Sequence, residues 1–541
     1  MKHIISAAEA RVLDEKTREA LAIEDVLLME KASLRLWSLF QTIIQKEQPQ
    51  HFVFVCGKGD NGGDGIALAR HAWSSGIEKE KLQIIVTKEA GSKASQHQLN
   101  SLKTIGISIT AWEKGCLESY ASNNSGKIAI IDAVLGTGMS GQARGIALEM
   151  IDSINSISEN LGKERVFVVS IDVPSGLGDC WIEGFPVVRA DSTLALEPAK
   201  QSLYYPTARL FAGKISIAED IFPQYMVQTL SKCCLMETAD LSGNRVHLSG
   251  DAFKISRGRV TVFAGTVGTL GAGLLCAKAT QAAGAGYVQF FIQDEAYIIS
   301  VSTIPAIMTR PESAFNIENL KADTIVVGPG WGKTAEHARI LKQLLELDLP
   351  IVIDADAIRI LAEDDTMNFL PVIQKRKAPL VLTPHPGEFN ALVQRYINVS
   401  QKFVFSELLA RVAETLNAIV VYKSSVTWIF SPKSTAENRY AIWDGQCPGL
   451  GTAGSGDVLA GFLAGDLAIR SATNKNELHG LWELAFESAR QAVICHGYAG
   501  RILYEKLGWF SASELLPYLK KLACEAAENK NKLLDGSTAS G

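Results

Sequence analysis

Short runs of β-branched and aromatic residues alternate with longer segments of helical periodicity along the whole chain. That alternation predicts parallel α/β architecture, in which strands covered on both faces read as nearly continuous apolar runs. In the first half, strands are predicted at residues 51–56, 82–87, 128–131 and 166–171. In the second half they are predicted at 259–264, 287–292, 324–327, 350–353, 380–383 and 419–422. Many of these runs end on loops rich in Gly, Asp or Pro, where open α/β sheets place their ligands. A helix is predicted over residues 66–73, behind the glycine loop that closes the first strand. The stretch 260–277 is uncharged and long enough to raise a membrane helix. Gly265, Gly268, Gly271 and Gly273 interrupt it, and strand, glycine loop and helix fit it better.

A chain of 541 residues exceeds one ordinary core and predicts two domains. The break is expected near 224–251, where a polar stretch follows Pro223 and precedes a fresh strand–glycine–helix unit. This gives a first domain at 1–225, a linker at 226–249, a second domain at 250–525, and a frayed Gly/Ser-rich tail to 541. A formal charge of −5 excludes a strongly basic nucleic-acid binder as the default class. The nine cysteines contain no C-x-x-C pair, so they are expected as reduced core thiols. The N-terminus meets Glu9, Arg11 and Asp14 before any signal-type apolar run. A cytoplasmic protein without membrane partners is therefore expected.

The loop Gly57-Lys58-Gly59-Asp60-Asn61-Gly62-Gly63-Asp64-Gly65 carries a G-x-G-x-x-G spacing, which lets backbone amides approach a pyrophosphate at a helix start. Alone the spacing is weak, since a plain tight turn also produces it. A second loop, Gly136-Thr137-Gly138-Met139-Ser140-Gly141-Gln142, follows another strand of the same half. Two such loops favour phosphate binding. Asp132 and Asp172 end strands beside them, where an Asp is about as often a turn former as a functional group. Asn61, Asp132 and Ser175 offer hard oxygen ligands, suited to a hard cation and unlike a zinc set.

Leu28-Met29-Glu30-Lys31-Ala32, the Gly-x-Gly-Asp-Asn-Gly-Gly-Asp-Gly loop, Asp-Ala-x-x-Gly-Thr-Gly and Asp-Val-Pro-Ser-Gly-Leu occur in this order. The series resembles the NAD(P)H-hydrate epimerase domain over roughly residues 1–223. The resemblance implies a Rossmann-like three-layer α/β/α domain. It implies nucleotide contacts from Asp60, Asn61, Gly62, Gly63, Asp64, Gly136 through Gln142, and Asp172. It also implies potassium held by Asn61, Asp132 and Ser175, with Asp172 as the candidate proton shuttle. Asp60 departs from the family, which usually has Asn there, and residues 178–205 match only loosely.

In the second half, Gly451-Thr452-Ala453-Gly454-Ser455-Gly456-Asp457 opens a helix. Small residues leave amides free to bind a transferring phosphoryl group, and Asp457 stands where a base could take a hydroxyl proton. A glycine-rich cap with a dipole-favoured Asp is the plainer alternative. Gly328-Pro329-Gly330-Trp331-Gly332-Lys333-Thr334 is one residue short of a Walker A loop, and the P-loop assignment is rejected. Thr383-Pro384-His385-Pro386-Gly387-Glu388 is a strand-end turn that fixes a His and a Glu.

Together with Gly-Ala-Gly-Leu-Leu at 271–275, Gly-Ala-Gly-Tyr-Val at 284–288 and Asp-Ala-Asp-Ala at 354–357, this set resembles the ribokinase-like ADP-dependent NAD(P)H-hydrate dehydratase. The resemblance implies contacts to the hydrated nucleotide from Ala272, Gly330, His385 and Asp457. ADP contacts are implied for Lys423, Ser424, Ser425, Val426, Thr427 and Gly456, with Glu388 a candidate magnesium contact. Lys423-Ser424 stands where the family usually has Lys-Gly. Both resemblances in one chain match the fused bacterial repair enzymes, which implies potassium and magnesium as cofactors and ADP as co-substrate. The expected partners are NADHX, NADPHX and ADP, with self-association as a homo-oligomer and no nucleic acid. Two rivals stay open: a ribokinase-type kinase of a small hydroxylated substrate, and a first half that serves only as a nucleotide-binding scaffold.

Overall fold

The computed structural model describes residues 1–87, 91–242, 250–398, 403–433, 439–473 and 480–524. The expected frayed tail, 525–541, and residues 243–249 of the expected linker lie outside them. Internal contacts divide the chain into two compact units, His3–Cys233 and Cys234–Gly541, the latter including Met1–Lys2.

The first unit contains strands β1 (Lys2–Ile5), β2 (His51–Cys56), β3 (Leu82–Val86), β4 (Ser108–Ala111), β5 (Ile128–Ala133), β6 (Val166–Ile171), β7 (Ser192–Leu196), β8 (Ala199–Lys200) and β9 (Lys214–Ala218). A 7-stranded parallel sheet has the order β4-β3-β2-β5-β6-β7-β9. Its central strands are covered on both faces, following the period of two along a strand. Phe52, Phe54 and Cys56 pack with helices Asp25–Glu47 and Asp60–Ser74, while Val53 and Val55 pack with helix Ile146–Leu161. The strand order reverses between β2 and β5. Loops leaving these two strands therefore diverge to opposite faces and open a crevice at their carboxyl ends.

The helix after β2 begins at Asp60, not at residue 66. Intrinsic propensity argues against first turns containing Gly62, Gly63 and Gly65, but tertiary packing decides it. A Cβ on Gly62 would lie 2.0 Å from the Gly57 carbonyl oxygen, and one on Gly65 would lie 2.6 Å from Ala133 Cβ. The glycines let the helix start lie directly on β2 and β5.

The second unit contains β10 (Cys233–Leu235), β11 (Arg259–Phe263), β12 (Tyr287–Ile292), β13 (Met308–Pro311), β14 (Thr324–Val327), β15 (Ile351–Ile353), β16 (Leu380–Leu382), β17 (Ile419–Tyr422), β18 (Val426–Phe430) and β19 (Tyr440–Asp444). Their order is β13-β12-β11-β14-β15-β16-β17-β18-β19-β10. Pairing is parallel from β13 to β17, and β17-β18-β19 forms an antiparallel meander. Here the order reverses between β11 and β14. Helices Leu270–Ala282 and Ser455–Thr473 pack against each other at close range. A Cβ on Gly461 would lie 2.1 Å from the Cys276 carbonyl oxygen, and one on Gly465 would lie 2.4 Å from that of Thr280. The uncharged stretch 260–277 is β11, a glycine loop and the start of helix Leu270–Ala282. No helix among the described residues is long and apolar enough to cross a membrane.

Candidate functional site

A cavity of about 1190 Å³ lies at the crevice of the first unit. Asp60, Asn61 and Asp64 from the first two turns of helix Asp60–Ser74 line it, together with the loop Gly136–Gln142 and Asp172. Of the expected nucleotide contacts, Gly62 and Gly63 are not in the lining; they face the Gly57 backbone and the Met29 side chain. Asp172 follows β6 with φ +62°, a left-handed conformation that non-glycine residues seldom adopt and that clusters at functional sites. Its Oδ1 accepts from Lys200 Nζ at 2.6 Å and from the Leu196 amide at 3.2 Å. Both residues of this ion pair are buried. Asp64 is 7% exposed, and its carboxyl has no hydrogen-bond partner among the described residues. Burial pushes Asp64 well above the ordinary carboxylate range, and the charges of Asp172 and Asp60 push the same way against Lys200.

Beneath the cavity, Asp132 ends β5 in a fully buried nest. Its Oδ2 accepts from Ser170 Oγ at 2.7 Å and the Ser175 amide at 2.8 Å, and its Oδ1 accepts from Ser175 Oγ at 2.5 Å. The Leu135 carbonyl accepts from Asn61 Nδ2 at 3.1 Å and lies 3.2 Å from Ser175 Oγ. The fold thus brings Asn61, Asp132 and Ser175 to one spot. Asn61 Oδ1 is buried there with no partner, so the nest holds an unused oxygen acceptor beside a carboxylate. That donor set fits a hard monovalent cation. Among the described residues no cluster of three or more His, Cys, Asp or Glu could hold a metal.

Two contributors to the first site are absent from the motif-based set. Lys200 comes from the loosely matching stretch 178–205, and only the fold brings it to Asp172. The N-terminal helix Ala7–Leu21 lines the cavity with Arg11, Asp14, Glu15 and Arg18, and Arg18 donates to Asp14 at 3.0 Å. Its sequence reads as an ordinary amphipathic segment, with no signal for this role.

In the second unit, the loops after β11 and β14 converge. Gly265 donates to the Pro329 carbonyl at 2.9 Å, and Thr269 Oγ1 donates to that of Gly330 at 2.7 Å. Gly330 has φ +57° and no room for a side chain, since a Cβ would lie 2.9 Å from Ala272 Cβ. The sheet then sets out a row of polar side chains at successive carboxyl ends: Asp354 after β15, Thr383 after β16 and Lys423 after β17. Asp354 Oδ1 accepts from Lys423 Nζ at 2.5 Å and from Thr383 Oγ1 at 2.7 Å. The Lys423 ammonium overhangs the start of helix Ser455–Thr473, where a Cβ on Gly456 would lie 3.2 Å from Nζ. Asp457 sits in the first turn of that helix. Burial raises its carboxyl to about 6, and the negative charges of Asp354 and Asp356 add to the rise while Lys423 opposes it. A carboxylate of that basicity is a competent proton acceptor near neutral pH.

Val426 and Thr427 lie in strand β18, and the Val426 side chain is buried, so only Lys423-Ser424-Ser425 form the turn. Neither Ser424 nor Ser425 has a positive φ, so the turn needs no glycine; Ser424 Oγ closes it by donating to the Val426 carbonyl at 2.6 Å. Glu388 is a helix cap. Its Oε2 accepts from the His385 amide at 2.9 Å and its Oε1 lies 3.2 Å from His385 Nε2. His385 in turn accepts from the Gly387 amide through Nδ1 at 3.0 Å, and burial with the nearby charge of Lys423 lowers its pKa. Sequence reasoning also passed over His496. Its Nε2 lies 3.0 Å from both Ser455 Oγ and the Ser455 carbonyl, and burial lowers it to about 4, so a neutral imidazole buttresses the helix start.

Comparison with known proteins covers both units. A family model described as NAD(P)H-hydrate dehydratase matches residues 260–521, and one described as YjeF-related protein N-terminus matches residues 26–202. A bifunctional NAD(P)H-hydrate repair enzyme of Thermofilum pendens is 28% identical over 99% of this chain and 99% of its own length. Enzymes of the same description from Moorella thermoacetica and Coxiella burnetii are each 29% identical, over 86% and 88% of this chain and 87% and 90% of their own lengths. A solved ADP/ATP-dependent NAD(P)H-hydrate dehydratase from Bacillus subtilis is 20% identical with a TM-score of 0.42, covering 53% of this chain and 96% of that one. With both domain models matched in order and relatives aligned along nearly their whole lengths, the chain belongs to the family of bifunctional NAD(P)H-hydrate repair enzymes, an epimerase domain followed by a dehydratase domain.

Proposed function

We propose that the first unit interconverts the C6 epimers of NADHX and NADPHX in the Asp172 cavity, and that the second unit dehydrates the S epimer with ADP, giving AMP and phosphate. The observation that carries the dehydratase assignment is the Lys423 ammonium above Gly456, beside the basic Asp457. This is an anion site next to a proton acceptor, the pairing that phosphoryl transfer to a hydroxyl requires. Asp457 takes the proton of the C6 hydroxyl as its oxygen attacks the β-phosphorus of ADP, and the bond to AMP breaks. The Gly454–Gly456 amides and Lys423 receive the charge of the moving phosphoryl group. The ring nitrogen's electron pair then expels the phosphate from C6, and loss of a C5 proton restores the dihydropyridine. Magnesium, when bound with ADP, supplies charge neutralisation at the phosphates. Ala272, Gly330 and His385 shape the wall that receives the nicotinamide ring.

In the first unit, Asn61, Asp132 and Ser175 would hold potassium, which supplies a fixed positive charge under the two glycine loops. The loops bind the nucleotide, and Asp172, held by Lys200, moves the proton at the C6 hydroxyl.

The test mixes purified full-length protein with both NADHX epimers and ADP and follows dihydropyridine absorbance together with inorganic phosphate. Complete return of absorbance with stoichiometric phosphate is expected. A stable phosphorylated product without absorbance recovery would indicate a small-molecule kinase instead.

A further inference from the structure

We infer that Asp64 is a second catalytic residue of the epimerase cavity, delivering a proton to the ring nitrogen of the hydrated nucleotide while Asp172 accepts the proton of the hydroxyl. The inference rests on the epimerase function proposed above. Its ground is a carboxyl group that the fold leaves without work. Asp64 lies in the second turn of helix Asp60–Ser74, lines the cavity and is only 7% exposed. Among the described residues it has no hydrogen bond and no ion pair. A buried, unpaired carboxylate is costly, whereas a neutral carboxyl is tolerated there. The charged groups that bear on it are Asp172, Asp60 and Asp14, which favour the neutral form, and Lys200, which opposes it. Lys200 is already committed to Asp172 at 2.6 Å. Asp172, by contrast, has Oδ1 occupied by Lys200 and Leu196, with no partner for Oδ2 among the described residues. Two carboxyl groups line one cavity, one held by a lysine and the other without a polar partner among the described residues, and a proton exchange needs two such groups.

The C6 centre of a hydrated nicotinamide is a hemiaminal, and its inversion needs one proton removed and one delivered. Asp172 Oδ2 takes the hydroxyl proton, the C6–N1 bond breaks with its electron pair going to N1, and Asp64 gives its proton to N1. The resulting aldehyde turns about its bond to C5. Ring closure on the other face of the aldehyde returns the N1 proton to Asp64 and the Asp172 proton to oxygen. No oxidant, reductant or co-substrate enters, and ADP is not consumed.

The discriminating variant is Asp64→Asn, because a carboxamide has the shape and neutrality of the protonated acid and lacks only the transferable proton. Purified full-length protein is incubated with one isolated NADHX epimer without ADP, and formation of the other epimer is followed by chromatography. Expected is a loss of about 100-fold or more in kcat, as for removal of a general acid, with little change in KM and an unchanged thermal unfolding curve. An Asn variant within about tenfold of the parent kcat would overturn the inference, as would a loss expressed wholly in KM. Asp64→Glu keeps a proton to give and is expected to exceed Asp64→Asn in rate; equal rates for the two would also overturn it. If the parent chain itself fails to interconvert the epimers, the epimerase assignment falls and Asp64 falls with it.

Discussion

Both units set an aspartate and a lysine at the carboxyl edge of a parallel sheet, but they wire them differently. In the first, Lys200 bonds directly to Asp172, the residue proposed to move a proton. In the second, Lys423 bonds to Asp354 and leaves Asp457 without that partner. The consequence is electrostatic. Asp457 is raised to about 6 by burial and by Asp354 and Asp356, whereas the carboxyl left high in the first cavity is Asp64. Each site thus separates one carboxyl that lysine holds from another that burial makes more basic. In both, burial is the larger cause and the lysine opposes the rise.

The largest expected effect breaks the second half of this comparison. Asp457→Asn should lower dehydration by about 100-fold or more while epimerisation continues, measured as phosphate release and epimer exchange on the same preparation. Loss of both activities would show that Asp457 is not confined to one reaction.

Breaking the Asp172–Lys200 pair should cost stability as well as epimerisation. Lys200→Met leaves a buried carboxylate uncompensated, a loss of about 3–5 kcal/mol, read from chemical or thermal unfolding. Asp172→Asn combined with Lys200→Met should recover part of that loss, because no charge is then left alone. Equal stability of the single variant and the parent would mean that the pair is solvated and contributes little.

Gly461→Ala sharpens the contrast by acting on packing in the second unit only. The added carbon would meet the Cys276 carbonyl at 2.1 Å, and a penalty of about 1–3 kcal/mol is expected for such overpacking. The unfolding of the second unit should move while epimerisation at room temperature stays unchanged.

The smallest expected effect is a pH profile. Asp457 must lose its proton to act, so dehydration should rise as pH climbs through about 6 and fall about tenfold per unit below that. The linked stability has the opposite sense. A carboxyl raised in the folded state binds its proton more tightly there, so its ionisation costs stability as pH rises from the unfolded value through about 6. Above that pH, Asp457→Asn should melt no lower than the parent.

The central strands were legible because burial on both faces writes an unbroken apolar run. His51–Cys56, Val166–Ile171, Tyr287–Ile292, Thr324–Val327 and Ile419–Tyr422 were read to the residue. Peripheral strands were not. Ser108–Ala111 and Met308–Pro311 end their sheets and alternate between exposed and half-buried positions, and the Val426–Phe430 hairpin follows directly on a polar turn. Glycine loops announced where the sheet order reverses, since close backbone approach demands glycine in the sequence itself. The partners of those loops did not announce themselves. Lys200 and His496 acquire meaning only when the fold places them beside residues far away in the chain, and Asp354 and Thr383, visible as motif residues, gain their bonding partners the same way.

The central claim is that the two sites divide one repair between them, and a time course of epimer consumption tests it most directly. With both NADHX epimers and excess ADP, the parent chain should consume the whole mixture. Asp172→Asn in the full-length chain should begin at nearly the same rate and then stop with one epimer unreacted, over a time too short for spontaneous exchange. Complete single-phase consumption by that variant would contradict the account, because the dehydratase would then need no epimerase to supply it.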